Sequence, residues 1–233
     1  MIETHAPLRA VLFDAGNTLL FLDYDRLAAA VGDALGLSLT AAELAAAAPE
    51  AARTMERARL SDRERAIAYL EALFLAAGIP EGRLAEVHEL LVRMHAEHHL
   101  WSGIAGDAHD ALARLRRAGL KLGVVSNSDG RVEEALEAAG LLVYFDVVVD
   151  SGVAGVEKPD PAIFLAALEA LDVRPAEALH VGDLYEVDVI GANAAGIPAV
   201  LLVPPATPRP LGCAAVDSLR ALADDLTKER LAS

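Results

Sequence analysis

The chain is 233 residues long, 54% hydrophobic and carries a formal net charge of -15. That length suits one α/β domain with a smaller insert, and the apolar content supplies a core, which excludes a disordered chain. The acidic surplus excludes a nucleic-acid or anionic-membrane partner, and the apolar runs are too short and too interrupted by charge to span a bilayer. No basic region precedes an apolar stretch in MIETHAPLRAVLFD, so no signal peptide is expected. The lone Cys213 cannot form an internal disulfide or a cysteine-based metal cage. A cytoplasmic location and a small phosphorylated partner fit these bounds; nothing in the sequence marks an oligomeric state.

Ala10–Phe13 is the first of five short runs that read as buried parallel strands. The others are Leu120–Val125, Val147–Val149, Leu179–Val181 and Ala199–Val203. Residues 23–100 contain no such run. Leu27, Val31 and Leu35 recur there at helical spacing, as do Ile67, Leu70 and Phe74, and Leu84, Val87, Leu91 and Met94. Pro49, Gly78 and Pro80 are expected to break these helices. The pattern predicts an all-helical insert, 23–100, in a core made of 1–22 and 101–233. Beyond it, Asp107 is expected to cap a helix that stops at Gly119. A second helix stops at Gly140, Asp160-Pro161 opens a third, and a fourth stops at Gly196. This alternation predicts a Rossmann-like, doubly wound parallel sheet. A Pro-rich loop, VPPATPRP, and a helix through SLRALADDL close the chain.

Four segments carry candidate chemistry. Phe13-Asp14-Ala15-Gly16-Asn17-Thr18-Leu19 puts an aspartate at the end of a buried strand, where ligands of open α/β sheets sit. Ser126 and Asn127 end the second strand with a hydroxyl and an amide that can bond an anion. Lys158, one of three lysines with 121 and 228, stands just before a helix N-terminus. Gly182-Asp183 ends the fourth strand, and Asp188 follows; Asp14 and Asp183 on adjacent strand ends would make an oxygen-rich site for magnesium.

Taken in order, these segments resemble the four motifs of the haloacid dehalogenase (HAD) superfamily. The most specific parts are SNSDG, the segment through KPDPAIF, and HVGDLYEVDVIGANAAG. The insert resembles the helical cap of the subfamily that includes phosphoglycolate-phosphatase-like and 2-haloacid-dehalogenase-like proteins. The resemblance implies that Asp14 is a nucleophile that takes up a phosphoryl group. Ser126, Asn127 and Lys158 would then hold that group. Asp14, the Gly16 carbonyl, Asp183 and Asp188 would serve a Mg2+ ion, Asp188 directly or from behind.

The first motif departs from the family pattern. Most family phosphatases carry a second aspartate, the general acid/base, where this chain has Gly16, and a glycine where it has Asn17. Losing such a group typically costs about 10²–10⁴-fold in rate. Phosphonate-cleaving members use a cap lysine, and this insert has none. Dehalogenases lose the Gly-Asp that this chain keeps at Gly182-Asp183. Three readings stay open: a phosphatase favouring activated leaving groups, a 2-haloacid dehalogenase-like enzyme, and a degenerate relative that binds a phosphorylated ligand or partner.

Other residues invite simpler expectations. His95, His98 and His99 share a helical face at i, i+3 and i+4, a spacing that can bind a transition metal but also suits a plain surface. Strand alternation turns His180 away from Asp183's neighbours, which assigns it to packing. Trp101 packs where the insert rejoins the core, and Cys213 is expected in the core. Arg53, Arg57, Arg59, Arg63 and Arg65 read as a solvated helix face.

Overall fold

The computed structural model describes residues 6–55, 62–204 and 212–228. Six strands form one parallel sheet: β1 (Ala10–Phe13), β4 (Lys121–Ser126), β5 (Val147–Asp150), β6 (Ala178–Gly182), β7 (Ala199–Leu202) and β8 (Ala214–Val216). Their order is β5-β4-β1-β6-β7-β8. β2 (Leu20–Leu22) and β3 (Trp101–Ile104) form a separate two-stranded sheet. Each of the five expected runs supplies a strand. The three-residue edge strand β8 had no sequence signal, because Ala214-Ala215-Val216 is too short to show alternation; pairing Val200 with Ala214 and Leu202 with Val216 creates it.

The chain lays down β1, β4 and β5 outward on one side, then returns to the far flank of β1 for β6. Phe13 is opposite Val124 on one flank and Val181 on the other. Strand order therefore reverses between β1 and β6, and a crevice opens beyond the carboxyl ends of strands at such a switch point.

Helices punctuate the strands much as expected. α5 (Ala108–Arg117), α6 (Val132–Ala138) and α9 (Ile190–Ala194) end before Gly119, Gly140 and Gly196. Those glycines have φ of +78°, +68° and +78°, a region costly for residues with a Cβ. α7 (Ser151–Ala154) is a single turn. α8 (Pro161–Leu171) is capped by Asp160, whose carboxylate accepts the Ala162 N–H. α8 buries Ile163, Phe164 and Leu168 against Ala10, Leu12 and Val125 of the sheet. α10 (Leu219–Thr227) packs against α5. Asp107 precedes α5 but does not cap it: its carboxylate accepts the Arg220 N–H of α10, tying the two helices together. Cys213 is half-buried, not a core residue.

Compactness divides the chain into Met1–Phe21 with Gly103–Ser233, and Leu22–Ser102. The second unit is helical: α1 (Tyr24–Leu35), α2 (Ala41–Met55), α3 (Asp62–Ala76) and α4 (Leu84–Glu97). Leu27, Val31 and Leu35 join Val87, Leu91 and Met94 in its core, with Trp101 packed against them. In α3 the buried pair is Leu73–Phe74, while Ile67 and Leu70 are half-buried. Pro49 does not break α2 but lies inside it. A proline there removes one backbone bond, and burial of Leu44, Ala47 and Ala51 carries the helix through. Arg26 binds the end of α4: its guanidinium donates to the carbonyls of Met94 (3.1 Å), His98 (2.6 Å) and His99 (3.0 Å).

α4 ends at Glu97 and His98 is extended, so the three histidines do not share a helical face. His95 Nδ1 accepts the Leu100 N–H, and His99 Nδ1 accepts the Trp101 N–H. The side chains of Arg53 and Arg63, all of Arg57 and Arg59, and residues 205–211 of the Pro-rich loop lie outside the described residues.

Candidate active site

Asp14 is the first residue beyond β1, and its N–H donates to the Val181 carbonyl of β6 at 2.8 Å. The chain then turns tightly. The Ala15 carbonyl accepts the N–H groups of Leu19 and Leu20 at 2.9 Å each, and Asn17 N–H donates to Leu20 O at 2.7 Å. Asn17 closes this turn at φ +55°. Among residues with a side chain, asparagine tolerates that left-handed conformation best, which explains how it stands where the family pattern has glycine.

Lys158 reaches this turn from the segment before α8. Its buried Nζ donates to Asp14 Oδ1 at 2.6 Å and to Asp188 Oδ1 at 2.7 Å. Asn127 fixes its backbone from both sides: Nδ2 donates to the Lys158 carbonyl at 3.0 Å and Oδ1 accepts the Lys158 N–H at 2.7 Å. The Asn127 side chain, expected to meet substrate, is thus committed to Lys158. Ser126 is buried as the last residue of β4.

Asp183 follows β6 directly. Asp14, Asp183 and Asp188 each offer one carboxylate oxygen within 4.8 Å of the others. Asp188 returns to the site because Tyr185–Val189 forms one wide π-type turn. Its N–H donates to Leu184 O, and its Oδ2 accepts the Leu184 N–H at 3.0 Å. Gly182 makes room for it: a Cβ on Gly182 would lie 2.2 Å from Asp188 Cγ.

Two residues of the arrangement escaped the sequence reading. His180 is fully buried, and its Nε2 lies 3.1 Å from Asp188 Oδ1. Alternation does turn it away from the strand's end; what periodicity could not supply was the turn that brings residue 188 back to meet it. Asp150, at the end of β5, accepts the N–H groups of Gly130, Val132 and Gly152, fixing the loop that follows Ser126-Asn127. An aspartate directly before Ser151-Gly152 was a readable cap signal.

The electrostatics are crowded. Burial drives the Asp14 carboxyl from 3.8 up to about 6, with Lys158 opposing and Asp188 adding to the rise. Burial and the Asp14 and Asp188 charges hold Asp183 well above the usual carboxylate range. Burial works against charge on Asp188 too, but Lys158 and His180 outweigh it and hold that carboxyl below its usual range. Burial alone would lower Lys158, yet Asp14 and Asp188 raise it. Burial also lowers His180. Three carboxylates around one lysine are short of positive charge, and an all-oxygen set of this kind suits a hard divalent cation.

A family model for haloacid dehalogenase-like hydrolases matches residues 8–196. The chain is 40% identical over 151 residues to haloacid dehalogenase-like hydrolase domain-containing protein 3 of Bos taurus, covering 64% of this chain and 59% of that protein. It is 41% identical over 133 residues to phosphoserine phosphatase of Thermus thermophilus, covering 57% of this chain and 51% of that protein. The chain thus spans between half and three-fifths of the length of these curated relatives. The crystal structure of a HAD phosphatase from Thermococcus onnurineus superposes with a TM-score of 0.62 at 29% identity, covering 96% of this chain and 100% of that one. Motif order, sheet order and these likenesses agree: the chain belongs to the haloacid dehalogenase-like hydrolases.

Proposed function

We propose that the chain is a magnesium-dependent phosphatase that acts on a small phosphorylated molecule through an aspartyl-phosphate on Asp14. The observation that carries this reading is the buried Lys158 ammonium shared between Asp14 and Asp188 beside Asp183. The Asp14 carboxylate attacks phosphorus, the bond to the leaving oxygen breaks, and water later releases phosphate. Lys158 keeps Asp14 in place and supplies positive charge to the transferring group, and Ser126 offers it a hydroxyl. Asp14, Asp183 and the Gly16 carbonyl are the groups that would hold Mg2+. Both Asp188 oxygens already accept protein donors, which suits support of Lys158 better than direct ligation. Bound Mg2+ would supply the charge that offsets repulsion between Asp14 and a phosphate dianion.

Gly16 cannot protonate a leaving group. The reading therefore favours acyl and aryl phosphates, whose leaving groups need little protonation, unless substrate or the helical insert brings a proton. Residues 23–100 serve in it as the cap that selects substrate, and the location is cytoplasmic. Asp183 favours metal chemistry over dehalogenation, which needs none.

The test is hydrolysis of p-nitrophenyl phosphate. Mg2+-dependent turnover that Asp14→Asn abolishes supports the proposal. Halide release from 2-haloacids without Mg2+ supports the dehalogenase instead, and tight phosphate-ligand binding without turnover supports the binding protein.

A further inference from the structure

We infer that His180 is a positioning residue, holding Asp188 in the orientation that lets it share Lys158 with Asp14. The inference rests on the phosphatase reading for its catalytic consequence, though not for its geometry. His180 Nε2 lies 3.1 Å from Asp188 Oδ1, the same oxygen that accepts Lys158 Nζ at 2.7 Å. A carboxylate paired with a lysine can only accept, so Nε2 carries the hydrogen and donates. Nδ1 is buried beside the Leu12 backbone and makes no hydrogen bond of full geometry. A ring present only to fill space would be better replaced by an apolar side chain, because burying an unpaired nitrogen costs stability. The bond to Asp188 is what offsets that cost.

The ring's plane is fixed by Phe164, which meets it edge-on at 5.0 Å and 85°. Phe164 belongs to α8, whose N-terminus follows Lys158 by three residues. Gly191 permits this packing, since a Cβ there would lie 2.9 Å from both Phe164 and the Pro159 Cα. One helix therefore sets both donors to Asp188 Oδ1. With Leu184 N–H on Oδ2, Asp188 has donors on both oxygens and cannot rotate freely. Without His180 it could turn from Lys158, leaving the ammonium to Asp14 alone.

The experiment compares His180→Gln, which keeps a donor at similar reach, with His180→Leu, which keeps bulk and loses it. On the full chain, Mg2+ affinity by calorimetry and turnover of p-nitrophenyl phosphate are measured beside thermal melting. Groups that orient a site from behind typically cost about 10–100-fold when removed. The Leu variant is expected to lose that much in both readouts, and the Gln variant to stay within about threefold of wild type, by the same reasoning. Full Mg2+ affinity and turnover in the Leu variant would make the histidine a filler and overturn the inference. Nitrogen-15 NMR of the wild-type ring needs no variant: protonated Nε2 with bare Nδ1 supports the inference, and the opposite tautomer overturns it. If wild type binds no Mg2+, the phosphatase reading fails by itself. A metal-free double-mutant cycle between His180→Leu and Asp188→Asn then decides: non-additive stabilities support the contact, and additive ones refute it.

Discussion

Replacing Lys158 by Met removes the ammonium and keeps most of the stem. Nζ lies 2.6 Å from Asp14 Oδ1 and 2.7 Å from Asp188 Oδ1, and the lysine is 3% exposed, so water does not replace it. Taking one partner from a buried ion pair costs about 3–5 kcal/mol, because the remaining charge is left uncompensated. In a chain of this size each kcal/mol shifts the melting temperature by about 2–4 °C. The metal-free variant should therefore melt about 6–20 °C below wild type at pH 7. The deficit should shrink toward pH 5. Losing the lysine raises the folded-state pKa of its carboxylates further, so the variant's native state gains protons that relieve the repulsion. Mg2+ should restore part of the stability by binding the native state. Differential scanning calorimetry at both pH values, with and without Mg2+, reads all of this. A variant melting with wild type at pH 7 without metal would refute the idea that Lys158 compensates these carboxylates.

Gly182→Ala should displace Asp188, since the new Cβ would lie 2.2 Å from its Cγ. Breaking its buried bonds should cost about 3–5 kcal/mol by urea unfolding, and unchanged stability would contradict the packing. Asp14 titrates near 6 when folded against an ordinary 3.8. Between those values the native state holds a proton the unfolded chain has lost, so metal-free stability should fall progressively as pH rises from 3.8 through about 6. Mg2+ binding near pH 6 should release protons, measurable by titration calorimetry in buffers of differing ionisation enthalpy. Gly16→Asp should raise turnover of alkyl phosphates by about 10²-fold or more if the missing acid/base is the limiting defect; no gain in a folded variant would count against that.

How much of this was legible depended on distance along the chain. The five expected strands announced themselves as short Val/Leu runs, although Val147–Val149 lie half-buried because β5 is at the sheet edge, and Asp160-Pro161 marked its helix because cap chemistry is local. Asp14 and Asp183 stood out because strand ends gather side chains at one edge, and Lys158 because it precedes a helix N-terminus. What failed needed tertiary information. Asp107 looked like a cap until α10 took its carboxylate. Pro49 looked like a break until core burial held α2 together. His180 looked like filler because nothing in a strand's alternation says where residue 188 returns. The commitment of Asn127 to Lys158, 31 positions away, is invisible without the fold.

The central claim is that Asp14 itself becomes phosphorylated. Acyl phosphates are reduced by borohydride, so quenching turnover of an aryl phosphate with borohydride converts a phosphorylated aspartate to homoserine. Peptide mass spectrometry should find homoserine at position 14, only with Mg2+ present. Sustained Mg2+-dependent turnover with Asp14 intact, or with homoserine at another position, would contradict the account.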